Sequence, residues 1–173
     1  GATLAATPTQ AGFIGVAANT LFTPGNFGWQ PSDEPMRSFG TGRNTDAAAD
    51  LINDGHFLLC GCASTFTATV DDGWVMVTVS YGSNGLKLTD VQIENADDDT
   101  IIASGLTTGI GETGHVTFLV LVQDGTLDLR FQDPIRELGS RQGIFIKGID
   151  IETSQNGFGF LSMGFPTPDA LSA

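Results

Sequence analysis

Ser64-Thr65-Phe66-Thr67-Ala68-Thr69-Val70, Gly73-Trp74-Val75-Met76-Val77-Thr78-Val79-Ser80-Tyr81 and Gly125-Thr126-Leu127-Asp128-Leu129-Arg130-Phe131 share one rhythm. Apolar side chains alternate with polar or small ones, and acidic-glycine turns precede two of the runs (Asp71-Asp72-Gly73 and Asp124-Gly125). A period of two puts one face in a core and the other in water, the signature of an antiparallel sheet. These runs predict an all-β chain.

Working outward, the same reading finds strands over residues 57–62, from Val91, over residues 100–103, from Val116, and over residues 143–152. Asp97-Asp98-Asp99 interrupts two of them as a turn. Phe13-Ile14-Gly15-Val16 reads as a short strand, and residues 46–53 (DAAADLIN) as the one credible helical turn, capped by Asp46. The expectation is an antiparallel β-sandwich or jelly roll of about eight to ten strands with at most one short helix.

Composition agrees. The 173 residues include 23 glycines, which favours turns over helices, and the length suits one domain that buries roughly 70% of its unfolded surface. Twenty acids stand against seven bases, a net charge of −13 that repels phosphate backbones. Nucleic acid is therefore not an expected partner. The longest apolar run, residues 116–122, is far shorter than the ~20 residues of a membrane helix and suits a buried strand.

Residues 1–152 are expected to form the sandwich. Residues 153–173 change character: Asn156-Gly157-Phe158-Gly159-Phe160-Leu161-Ser162-Met163-Gly164-Phe165 alternates glycine with apolar residues. This tail reads as an edge strand, a linker or a contact with a neighbouring subunit. Residues 19–43 read as a long irregular loop rich in Gly and Pro, anchored by Phe22, Phe27, Trp29 and Phe39. A bridge across Cys60-Gly61-Cys62 would be strained, because i and i+2 on a strand point the same way with Cα atoms near the upper limit for a disulfide, so free thiols are the default, with a disulfide or a metal left open.

Several phrases fall in a familiar order. Gly12-Phe13-Ile14-Gly15-Val16, Phe27-Gly28-Trp29, Asp50-Leu51-Ile52-Asn53-Asp54-Gly55, Phe66 through Val79, Gly125 through Phe131, and Phe145-Ile146-Lys147-Gly148-Ile149-Asp150-Ile151 together span residues 11–152. In that order they resemble the malectin-like, galactose-binding-like jelly-roll modules of secreted bacterial proteins. The chain lacks that family's aromatic first strand, and its Cys-Gly-Cys insertion and Gly/Phe tail have no counterpart there. The resemblance implies a non-catalytic, extracellular carbohydrate-binding module with glycan or polysaccharide as partner.

Sugar binding needs aromatic rings to lie against the apolar face of a pyranose, with polar side chains to catch hydroxyls. The resemblance puts that cleft in loops at one end of the sandwich, on Phe27 and Trp29, with Arg43, Asp46 and Tyr81 beside them. The plainer alternative has Phe27 and Trp29 plugging the sandwich end. Trp74, mid-pattern between Gly73 and Val75, is expected in or at the edge of the core.

No cofactor is expected. Three consecutive acids on a turn cannot converge on one calcium ion, so Asp97-Asp98-Asp99 reads as a solvated charge run; a structural calcium near Asp150 and Glu152 stays open. His56 and His115 lie far apart in sequence, and no nucleophile elbow, zinc-binding helix motif or phosphate loop occurs, so an enzyme is not expected. The rival from another class is a structural subunit of a surface layer, sheath or filament, self-associating through an edge strand or the tail.

Overall fold

The computed structural model describes residues 20–31, 37–39, 55–58, 63–83, 85–133 and 143–153. Ten strands occur among them, in two five-stranded sheets whose pairings are all antiparallel. The first sheet has the order β1 (Phe27–Trp29), β4 (Ala63–Thr69), β9 (Thr126–Gln132), β6 (Leu88–Asn95), β7 (Thr100–Thr108). The second runs β2 (Arg37–Phe39), β3 (Gly55–Leu58), β10 (Ile144–Thr153), β5 (Gly73–Tyr81), β8 (Gly114–Val122). From β3 onward the chain passes repeatedly from one sheet to the other, so neighbours in a sheet are mostly distant in sequence. The β-sandwich of jelly-roll type expected from the alternation is therefore observed.

Period two does the sorting. On β5, Val75, Val77, Val79 and Tyr81 turn inward; on β9, Leu127, Leu129 and Phe131 do the same. They meet Val91 and Ile93 of β6, Phe66 of β4 and Ile144 of β10 in one core. Burying each large apolar side chain stabilises the fold by roughly 1.5–3 kcal/mol before chain entropy is subtracted.

Two expectations change here. Residues 27–29 and 37–39, read from sequence as loop, are short strands at the ends of the two sheets. β1 is held by its register on β4 (Trp29 opposite Phe66) and by the chain before it: Trp29 N–H donates to Thr20 O at 2.8 Å, and Phe22 N–H to Trp29 O at 2.9 Å. This crossing passes so close to Gly28 that a Cβ there would stand 2.6 Å from the Leu21 carbonyl carbon and the Phe22 nitrogen. Only glycine fits.

The second change concerns Trp74, which is 54% exposed. It shares its parity on β5 with Thr78 and Ser80, the residues of the wet face, and not with Val75 and Val77. The expected strand at residues 13–16, the helical turn at 46–53, Cys60 and Cys62, and the tail from residue 154 onward lie outside the described residues. The last described strand ends at Thr153.

Candidate functional site

Strands β10, β5 and β8 lie side by side, and their registers define the outward face residue by residue. Trp74 stands opposite Leu121; Met76 stands between Glu152 and Leu119; Thr78 between Asp150 and Thr117; Ser80 between Gly148 and His115. Direct partners in an antiparallel ladder share a face. Four successive rows thus run from an apolar end to a polar one, about 20 Å long at ~3.4 Å per residue.

The apolar end is Trp74, Leu119 at 51% exposed and Leu121 at 45%, with Met76 half-buried between them. Contiguous apolar side chains left in water mark interaction surfaces far better than isolated ones do. Among the residues whose side chains are described, Trp74 is the one aromatic with more than half its surface in solvent. The polar end supplies both donors and acceptors. Thr78 and Thr117 hydroxyls are 2.8 Å apart, Ser80 Oγ lies 2.9 Å from His115 Nδ1, and the Asp150 carboxylate is exposed, as is that of Glu152 in the adjoining Met76 row.

The outward face of the other sheet is different, because its polar groups satisfy one another. Glu94, only 7% exposed, accepts from Arg130 Nε at 2.8 Å, from Gln92 Nε2 at 2.7 Å and from Gln132 Nε2. Arg130 also pairs with Asp99, and both carboxylates hold its guanidinium above its ordinary pKa, the hydrogen bond to Asp99 first. Thr67 donates to Asp128 and accepts from Gln30 Nε2 at 2.7 Å. A network whose members are all engaged has little left for a ligand.

The residues singled out from sequence scatter. Trp29 is 3% exposed, with its ring edge-to-face on Phe66 at 5.4 Å and on Phe131 at 6.2 Å. It is core, and its ring cannot lie against a sugar. Phe27 is half-buried one turn of the pleat away on β1 and packs against the same core. Tyr81, buried, belongs to the other sheet, and its ring covers Gly114, where a Cβ would meet ring carbons at 2.5 and 2.6 Å. Arg43 and Asp46 lie outside the described residues. The sequence reading placed Trp74 in or at the edge of the core, weighed His115 only for catalysis and passed over Leu119 and Leu121; the signal that puts all four on the outer face is the parity they share with Thr78, Ser80 and Thr117.

Among the described residues no group of three or more His, Cys, Asp or Glu is arranged to hold a metal ion, and no helix is long and apolar enough to cross a membrane. Lys147, at the register shift in β10 between Ile146 and Gly148, is buried and donates to Thr113 Oγ1 at 2.8 Å. Burial lowers its pKa.

No family model and no curated protein matches the sequence. Among solved structures, the fold is similar to that of the Bacillus subtilis protein YxiM: TM-score 0.58, 20% identity, over 83% of this chain and 36% of that one. It is also similar to part of a Bacteroides uniformis beta-glucuronidase, with TM-score 0.55 and 10% identity over 75% of this chain and 14% of the enzyme. A family 35 carbohydrate binding module from an environmental isolate gives TM-score 0.44 and 11% identity over 72% of this chain and 91% of the module. At these identities the likeness establishes the sandwich fold. The chain spans about a third of YxiM and about a seventh of the glucuronidase.

Proposed function

We propose that this chain is a non-catalytic, extracellular carbohydrate-binding module of malectin-like type that lays a glycan along the outer face of β10, β5 and β8. One observation carries the reading: Trp74 stands 54% exposed at the head of a ladder of hydroxyls, carboxylates and an imidazole. An indole face covers the C–H side of a pyranose, while Thr78, Thr117, Asp150, Glu152, Ser80 and His115 offer partners for its hydroxyls. The loop-end residues Phe27, Trp29 and Tyr81 take structural roles instead, holding the sandwich that presents this face. The similar fold within a larger glycosidase supports an accessory role, with residues 1–152 as the module and residues 153–173 as an appended segment.

The test is a glycan array probed with the full chain and with Trp74→Ala. Binding to at least one glycan, weakened tenfold or more in the variant, is expected. Absence of binding to every glycan, or unchanged binding by a folded Trp74→Ala, overturns the proposal.

A second reading, an assembly subunit, is favoured by a different observation. The apolar rows border β8, which ends its sheet, and among the described residues nothing pairs with the far side of that strand. Exposed edges beside apolar faces are sites of association. Light scattering of the full chain and of Leu119→Lys combined with Leu121→Lys separates the two: assembly through this edge demands polymers that vanish in the variant.

A further inference from the structure

The chemistry of the outer face points to a sugar of particular charge, on the premise that the face binds glycan as proposed above. Its four rows contain Asp150 and Glu152, both exposed, and no lysine or arginine. The cation nearest in sequence, Lys147, is buried and engaged by Thr113. Arg130 lies on the opposite sheet, held by Glu94 and Asp99. His115 is the one further titratable group on the face, hydrogen-bonded to Ser80. The whole chain adds a net charge of −13. Among the described side chains of these rows, polyanionic glycans, built from uronic acids or sulfated sugars, meet like charge with no cation to offset it.

We infer that the ligand of this face is a polymer of amino sugars with free, protonated amines. Glu152 sits one row from Trp74 and Asp150 one row further, so the carboxylates are spaced ~6.8 Å along β10 at ~3.4 Å per residue. An ammonium group between Glu152 and the indole gains both a charge-assisted hydrogen bond and a cation–π contact, and tryptophan is the aromatic best suited to the latter. Thr78 and Thr117 then meet the hydroxyls of the next sugar. Apolar platform, acidic flank and hydroxyl pair together describe a neutral-to-cationic pyranose chain.

The experiment compares retention of the full chain by chitosan, by fully N-acetylated chitin, by polygalacturonate and by poly-lysine, at mildly acidic pH where the amines are charged. Chitosan should retain the protein at least tenfold more strongly than chitin, with the advantage falling as salt is raised. Asp150→Asn combined with Glu152→Gln should weaken chitosan binding about fivefold, each exposed carboxylate contributing about two- to threefold, and leave chitin binding as it was. Circular dichroism verifies that this surface variant stays folded. Equal retention by chitin and chitosan, or preference for polygalacturonate, overturns the amino-sugar inference and leaves the glycan reading standing. Retention by poly-lysine equal to that by chitosan also overturns it, since a basic peptide would then suffice. Retention by none of the three polysaccharides overturns the amino-sugar inference, and the glycan array then decides the glycan reading separately.

Discussion

Trp74 and Leu121 face each other across the β5–β8 ladder, and each turns about half of its surface to solvent. The other tryptophan, Trp29, is enclosed by Phe66 and Phe131. One indole is thus available to a ligand and the other is spent on the fold.

The two tryptophans should therefore separate stability from binding. Trp29→Ala removes a ring packed on two aromatics and should cost about 3–5 kcal/mol, a large share of a domain's stability. Trp74→Ala should cost less, about 1–2 kcal/mol, because about half of its surface is already wet. Urea denaturation measures both, and glycan retention should move the other way, lost in Trp74→Ala while folded Trp29→Ala retains it.

The sandwich was legible because alternation is a local signal. Val75, Val77 and Val79 against Thr78 and Ser80 announce a two-faced strand without knowledge of its neighbours. The position of Trp74 was harder to read, since Trp74, Val75, Met76 and Val77 are apolar on both parities at the start of β5. Only the polar members further along reveal which parity is wet. Trp29 misled for the opposite reason: Pro24, Gly25, Gly28 and Pro31 around it look like loop. Its strand exists through long-range contacts, Trp29 opposite Phe66 and the Thr20–Phe22 crossing, which no local pattern carries. A site on a sheet face depends on the register of three strands distant in sequence. That register is a tertiary fact.

Gly28 tests the crossing directly. An alanine Cβ would meet backbone atoms of Leu21 and Phe22 at 2.6 Å and Thr20 O at 2.7 Å, and backbone cannot swing aside as a side-chain end can. Gly28→Ala should destabilise by about 1–3 kcal/mol, the usual range for overpacking. Gly85→Ala, where an added Cβ meets nothing within 4 Å, is the control and should change little. Thermal unfolding of the two variants gives the comparison.

Glu94 tests the claim that the opposite face is internally satisfied. Its carboxylate serves Arg130, Gln92 and Gln132 together. Glu94→Ala strands two amides and half of the arginine's partners, and should cost about 2 kcal/mol. The figure sits below that for a fully buried pair because Arg130 keeps Asp99 and part of its side chain reaches solvent. Glycan binding should be unaffected, since this network faces away from Trp74.

The turn joining β6 to β7 should respond to pH in opposite senses at adjacent residues. Asp97 has its pKa raised above the ordinary 3.8, by desolvation first and then by the charges of Asp128, Asp124 and Asp98. The folded chain therefore holds this proton more tightly than the unfolded chain does. The benefit is present at pH below 3.8 and disappears as pH rises through the raised value. Asp98 behaves the other way: the Thr100 hydroxyl and the Thr100 N–H, 3.0 Å away, lower its pKa. Its contribution is present above 3.8 and is lost as pH falls through the lowered value. Asp97→Asn should then be more stable than wild type at neutral pH, with the gap closing in acid. Asp98→Asn should be less stable at neutral pH, with its gap closing at still lower pH. Urea denaturation midpoints recorded from neutral pH into acid for the three proteins check the signs, and equal shifts in both variants would remove the assignment of opposite roles within one turn.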